Sequence, residues 1–147
     1  MASFNKLNGF VEHLAEKVHD LGANQLVVAL SNTAPGSEST PPTGSTAACI
    51  LANVTQISYT NCSTRNITTS SSAQTSGTYK LTLTDLVLTA SGGTVGPFRY
   101  VYIYNDTPTS PADPLIGYYD YGASITLQDG ETFTIDFDGT NGLLTIA

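Results

Sequence analysis

The chain has no tryptophan, one methionine, two cysteines and only five cationic side chains among its 147 residues. Five Lys and Arg against twelve Asp and Glu leave a formal charge of −7. The basic footprint with which nucleic-acid binders neutralise phosphates is therefore missing, and no nucleic-acid partner is expected. Charged residues make up 12 %, too few for a coiled coil. No stretch approaches the roughly 18 apolar residues of a membrane-spanning helix, so no membrane partner is expected either. Glu12, His13, Glu16, Lys17 and Asp20 break up the N-terminal apolar residues. That stretch does not read as a secretory signal, and the chain is expected to be made in a cytosol.

Scarce cysteine also limits cross-linking. Cys49 and Cys62 read as free thiols in a reducing compartment, with a disulfide between them left open if their strands are neighbours. No metal is expected, because the two histidines, His13 and His19, lie far from both in sequence. Ser and Thr together number 36. Such a chain produces the sequons at Asn53, Asn61, Asn66 and Asn105 by composition alone, and no glycan is expected there.

What remains is enough apolar residue, 40 %, for the core of a single domain over residues 1–147. Phe4, Leu7, Val11, Leu14, Val18 and Leu21 recur at spacings of three and four. They predict an amphipathic helix over residues 4–21, capped by Ser3 and stopped at Gly22. Gln25–Leu30 reads as a short buried strand. Residues 31–48 are rich in Pro, Gly, Ser and Thr, with Pro35 and the Pro41-Pro42 pair. No apolar period survives there, and the segment is expected to be a flexible loop or arm able to reach a partner.

The β-rich part runs from residue 49 to 147. Tyr79–Leu83, Leu86–Leu88, Phe98–Tyr104, Leu115–Tyr121, Ala123–Leu127 and Thr132–Asp138 all read as strands. Gly139-Thr140-Asn141-Gly142 is expected to fold the last of these into a hairpin with Leu143–Ile146. The expected fold is mainly β: an antiparallel, jelly-roll-like β-sandwich of seven or eight strands with one N-terminal amphipathic helix.

Chemistry is harder to find. From residue 81 onward there are eight carboxylates and one cation, Arg99. Asp120, Asp136 and Asp138 are conceivable paired carboxylates, but the last two lie on the outward side of an alternating strand. Asp136–Gly142 departs from a calcium loop, with Asn141 where the sharp-turn glycine belongs. Both histidines sit in the N-terminal segment, and no Gly-x-Ser-x-Gly elbow exists. No catalytic residue, cofactor or enzymatic activity is expected. Tyr100, Tyr102 and Tyr104 share one side of a strand, and such a broad aromatic surface suits a protein interface or a carbohydrate-binding module.

Six segments, Ser3–Glu12, Leu26–Pro35, Ser72–Leu81, Gly96–Thr107, Leu115–Gly122 and Leu127–Phe137, taken together resemble small structural proteins of tailed-bacteriophage virions. Gly36–Ala48 and the surroundings of Cys62 resemble them least. The resemblance implies a capsid cement or decoration protein on the capsid surface, made in the host cytoplasm. It further implies that the partner is the major capsid protein and that the chain forms a homo-oligomer, dimer or trimer. A tail or connector component is the alternative place on the virion. On this reading Pro35, Pro41, Pro42, Tyr100, Tyr102 and Tyr104 are the candidate partner interface, and the arm reaches across a neighbour.

Overall fold

The computed structural model describes residues 2–147. Ten strands and one short helix appear: β1 (Phe4–Lys6), α1 (Asn8–Ala15), β2 (Leu26–Ser31), β3 (Asn66–Ile67), β4 (Thr69–Thr75), β5 (Thr78–Leu83), β6 (Leu86–Thr89), β7 (Val95–Asn105), β8 (Leu115–Leu127), β9 (Thr132–Ile135) and β10 (Leu144–Ile146). The fold is mainly β, with antiparallel sheets and one short helix near the N-terminus, as the sequence predicts. The strands form a five-stranded sheet in the order β1-β8-β7-β2-β3, a three-stranded sheet β10-β5-β4 and a pair β6-β9.

The central strands explain the layering. β2 reads Leu-Val-Val-Ala-Leu-Ser and is buried throughout, so both of its faces are covered. On one face Leu26, Val28 and Leu30 join Val101, Ile103 and Ile116. Against them pack Leu81 and Leu83 of β5, Leu88 of β6 and Ile135 of β9. This main core holds the large sheet to the two small ones, a sandwich-like arrangement. On the other face Val27 and Ala29 meet Tyr100, Tyr102, Tyr104 and Leu115 in a second core. No strand covers that second face. It is closed by Leu7 and by the connection after β2, through Ala34, Cys49, Leu51 and Val54.

The long connection is therefore a strap rather than a free arm. Pro42 and Ala48 are buried, and Pro35, Glu38 and Pro41 are half-buried. The Thr46 hydroxyl donates to Glu12 Oε2 at 2.7 Å, fastening the strap to the helix. Low apolar content hid this role, because the strap covers the sheet with few side chains and satisfies its backbone by turns: Ser37 N–H to Ala34 O, Gly44 N–H to Pro41 O and Cys49 N–H to Thr46 O.

The helix over residues 4–21 is also corrected. Phe4–Lys6 pairs with β8, Phe4 opposite Tyr119, so the chain is extended where Ser3 was expected to cap a helix. Only Asn8–Ala15 is helical. It ends with Lys17 in the left-handed region, φ 65°, while Val18 N–H reaches His13 O and Lys17 N–H reaches Leu14 O. That is a Schellman stop made without glycine. Gly22 instead lies in a turn whose amides Asp20 accepts. Val11 is 52 % exposed, and the inward side is Gly9, Phe10 and His13. Gly9 is required there: a Cβ would sit 2.5 Å from Cys49 Cβ, where the helix meets the end of the strap.

The last turn does not make the expected hairpin. β9 pairs with β6, and β10 pairs with β5, Leu144 opposite Leu81. Residues 136–143 carry the chain between two sheets. Burying both Phe137 and Leu143 in the main core outweighs the local hairpin signal of Asn141-Gly142. β8 absorbs two predicted strands into one of 13 residues, bending at Gly122 with φ 92°.

Candidate functional site: an aromatic groove beside β9

The tyrosines singled out in the sequence are not a surface. Tyr100, Tyr102 and Tyr104 are 7 %, 0 % and 5 % exposed. The strap and Tyr118 cover them, Tyr102 and Tyr118 with ring centroids 5.5 Å apart. The Tyr102 hydroxyl and Glu38 Oε1 face each other in the buried layer, but neither makes a hydrogen bond of normal geometry. Burial first, then the Glu38 charge, pushes the Tyr102 phenol far above its ordinary range. Tyr104 is raised as well, chiefly by burial. As a partner interface, Tyr100, Tyr102 and Tyr104 are thus corrected: they hold the strap. Of the three prolines assigned to the same interface, Pro42 is buried, and Pro35 and Pro41 are half-buried within the strap.

Cys49 and Cys62 are both free thiols. Cys49 is buried in the second core, while Cys62 packs against the main core, and no disulfide joins them in the fold. Burial pushes the Cys49 thiol up to about 11 and raises Cys62 as well. Neither is an activated nucleophile.

The other polar groups hold the frame. Asn105 Nδ2 donates to Asn24 Oδ1 at 2.7 Å and to His19 Nδ1 at 3.2 Å, tying the 18–25 turn to the end of β7. His13 and His19 stack edge to face at 6.0 Å. Burial lowers both, His19 to about 4, with the His13 charge adding to that shift. Among the described residues no three His, Cys, Asp or Glu side chains gather as metal ligands. Arg65 stacks on Tyr59 at 3.7 Å from the ring centroid and donates to Val28 O. Arg99 and Asp120 form a bidentate pair at 2.7 and 2.8 Å, which holds the Asp120 carboxyl below its usual range. Asp138 accepts the Thr140 and Asn141 amides and closes its own turn.

The accessible feature lies elsewhere, where the sandwich gapes between β8 and β9. A groove of about 420 Å³ is lined there by Ala2, Tyr119, Tyr121, Phe133, Thr134, Ile135 and Asp136. Tyr119 and Tyr121 are two apart in β8, so they share a side. Tyr121, 51 % exposed, meets the Phe133 ring edge on at 5.4 Å, and Phe98 supports Phe133 from beneath at 5.3 Å. Phe4 and Phe137 flank Tyr119 at 5.3 and 6.4 Å. Burial, with the Asp136 and Asp138 charges, raises the Tyr119 phenol to about 12. The result is an aromatic floor with a negative rim.

Sequence reasoning missed this groove because Tyr121 and Phe133 come from different strands that do not pair with each other. The one local signal was the alternation in Thr132–Asp138, which put Asp136 outward. Comparison of the chain with protein-family models, with curated proteins and with solved structures finds no match in any of the three. No described helix is long and apolar enough to cross a membrane.

Proposed function

We propose that the chain is a non-enzymatic binding protein of a tailed-phage virion, a capsid decoration protein that attaches to the assembled shell and stabilises it. The observation that carries the binding reading is the contrast between its polar groups. His19, Asn105, Arg65, Arg99 and Asp138 are engaged in holding strands and turns, while an open aromatic groove with Asp136 at its rim is left to the surface. The virion and the capsid come from the resemblance of the six sequence segments. Binding that favours the assembled shell stabilises it by mass action, and contact with several subunits through a dimer or trimer multiplies the effect. The test is to add the purified chain to shells lacking it and follow their thermal disassembly. Saturable binding and a raised disassembly temperature are expected; no association with shells refutes the proposal.

A carbohydrate-binding module is the second reading, and Tyr121 rather than Tyr102 would then carry it. Stacking on sugars requires exposed rings, which Tyr121 supplies and Tyr102 does not. Retention on a glycan array, lost in Tyr121→Ala, would favour this reading over the first.

A further inference from the structure

We propose that the groove between β8 and β9 receives an extended segment of a partner protein that carries a lysine or arginine, adding as a strand along the free edge of β9 with its cation against Asp136. This rests on the binding-protein reading above and names what the surface takes.

The backbone supplies the first argument. Phe133, Thr134, Ile135 and Asp136 are consecutive, and consecutive side chains of a strand point to opposite faces. All four line the groove, so it follows an edge of the strand rather than one face. β6 occupies one edge of β9, and no strand occupies the other. Across the groove, β8 has β1 beside it only from Gly117 to Tyr119; beyond that Asp120, Ile125 and Leu127 pair with β7 alone, and residues 121–124 fall in a register irregularity without a partner strand. Free strand edges present unpaired N–H and C=O groups, the template that an added strand completes.

Charge supplies the second argument. Asp136 Oδ1 accepts the Asp138 amide at 3.1 Å, and the one ion pair among the described residues is Arg99–Asp120, elsewhere on β7 and β8. Among the described residues no cation pairs with Asp136, which lines the groove together with Tyr121 and Phe133. Carboxylate and aromatic face together attract an ammonium or guanidinium group. A second copy of this chain fits poorly, because each copy carries a net charge of −7. A sugar would use the rings but leave the strand edge unpaired.

The experiment is an NMR titration of the 15N-labelled full chain with a short acetylated, amidated peptide alternating valine and threonine around a central arginine. A glutamine analogue and an analogue N-methylated on alternate amides serve as controls. The arginine peptide is expected to shift the amides of Tyr121, Thr134 and Asp136 and to bind about fivefold tighter than the glutamine peptide. Asp136→Asn, which keeps the acceptor for the Asp138 amide, should remove that preference, and N-methylation should abolish binding. Equal affinity of the arginine and glutamine peptides overturns the proposal, as do shifts confined to other residues. Concentration-dependent shifts of Tyr121, Thr134 and Asp136 without peptide, which would mark a second copy seated in the groove, or shifts at the groove with maltotriose but not with peptide, overturn it equally; concentration-dependent shifts elsewhere report the oligomer and leave the groove free. The capsid reading fails separately. Shells that bind Asp136→Asn and Tyr121→Ala as well as the parent chain sink the groove and leave the capsid. Peptide binding by a chain absent from virions does the reverse.

Discussion

Replacing Tyr102 by alanine separates a buried tyrosine face from a wet one by a wide margin. The side chain is 0 % exposed, packed between the five-stranded sheet and the strap and in ring contact with Tyr118. Truncating a fully buried aromatic costs about 3–5 kcal/mol, through lost transfer energy and the cavity left behind. Marginal stability makes that a large share of the total for a domain, on the order of 5–15 kcal/mol. At roughly 2–4 °C per kcal/mol for a chain of this size, the melting temperature should fall by roughly 10 °C. Urea denaturation followed by circular dichroism should show a lower midpoint with an unchanged slope. Tyr102→Phe discriminates further. Its hydroxyl has no well-formed hydrogen bond, so removing it should leave stability level or raise it by up to about 1 kcal/mol. Tyr121→Ala, at a side chain 51 % exposed, should cost about 1 kcal/mol or less. A Tyr102→Ala cost as small as that of Tyr121→Ala would refute the strap and return the tyrosines to the surface.

Three more outcomes follow from the same packing. His19 titrates near 4 when folded against an ordinary value of 6.5, so the unfolded chain takes up its proton first and stability drains away as pH falls from about 6.5 to about 4. The loss is on the order of 2–3 kcal/mol; urea midpoints across that window should fall in the parent and stay flatter in His19→Gln. Thiol titration of the native chain should label Cys62 before Cys49, and oxidation should produce no intramolecular disulfide until the chain is unfolded. Gly9→Ala forces a Cβ to within 2.5 Å of Cys49 Cβ and 2.9 Å of Thr46 Cα. The resulting overpacking should cost about 1–3 kcal/mol by urea denaturation and hasten proteolysis within residues 31–48.

Local patterns told the truth about strands and misled about faces. β2 and β5–β7 lie where period and β-propensity put them, because consecutive residues carry that information. The alternation of Tyr100, Tyr102 and Tyr104 with Val101 and Ile103 announced two unlike faces, but it did not say that both are buried. The clue was β2, whose uninterrupted apolar run requires a cover on each side and which pairs with β7. The strap was opaque for a different reason: it has few apolar residues and acts by turns and by position. The N-terminal stripe failed because its spacing fits a helix that the backbone abandons at Ala15 in favour of a Schellman stop, and because Phe4 gains more by pairing its strand with β8. The groove arises from two strands joined only through the tertiary fold; the alternation of β9 placed Thr134 and Asp136 outward and Phe133 and Ile135 inward, but not beside Tyr121.

Attachment to an assembled phage shell is tested by counting copies of this chain in purified virions by quantitative mass spectrometry against the major capsid protein. A decoration protein should be present in a simple ratio to capsid subunits, with hundreds of copies per particle. A few copies or a few dozen would place the protein in the tail or connector instead, and its absence from particles would refute attachment altogether.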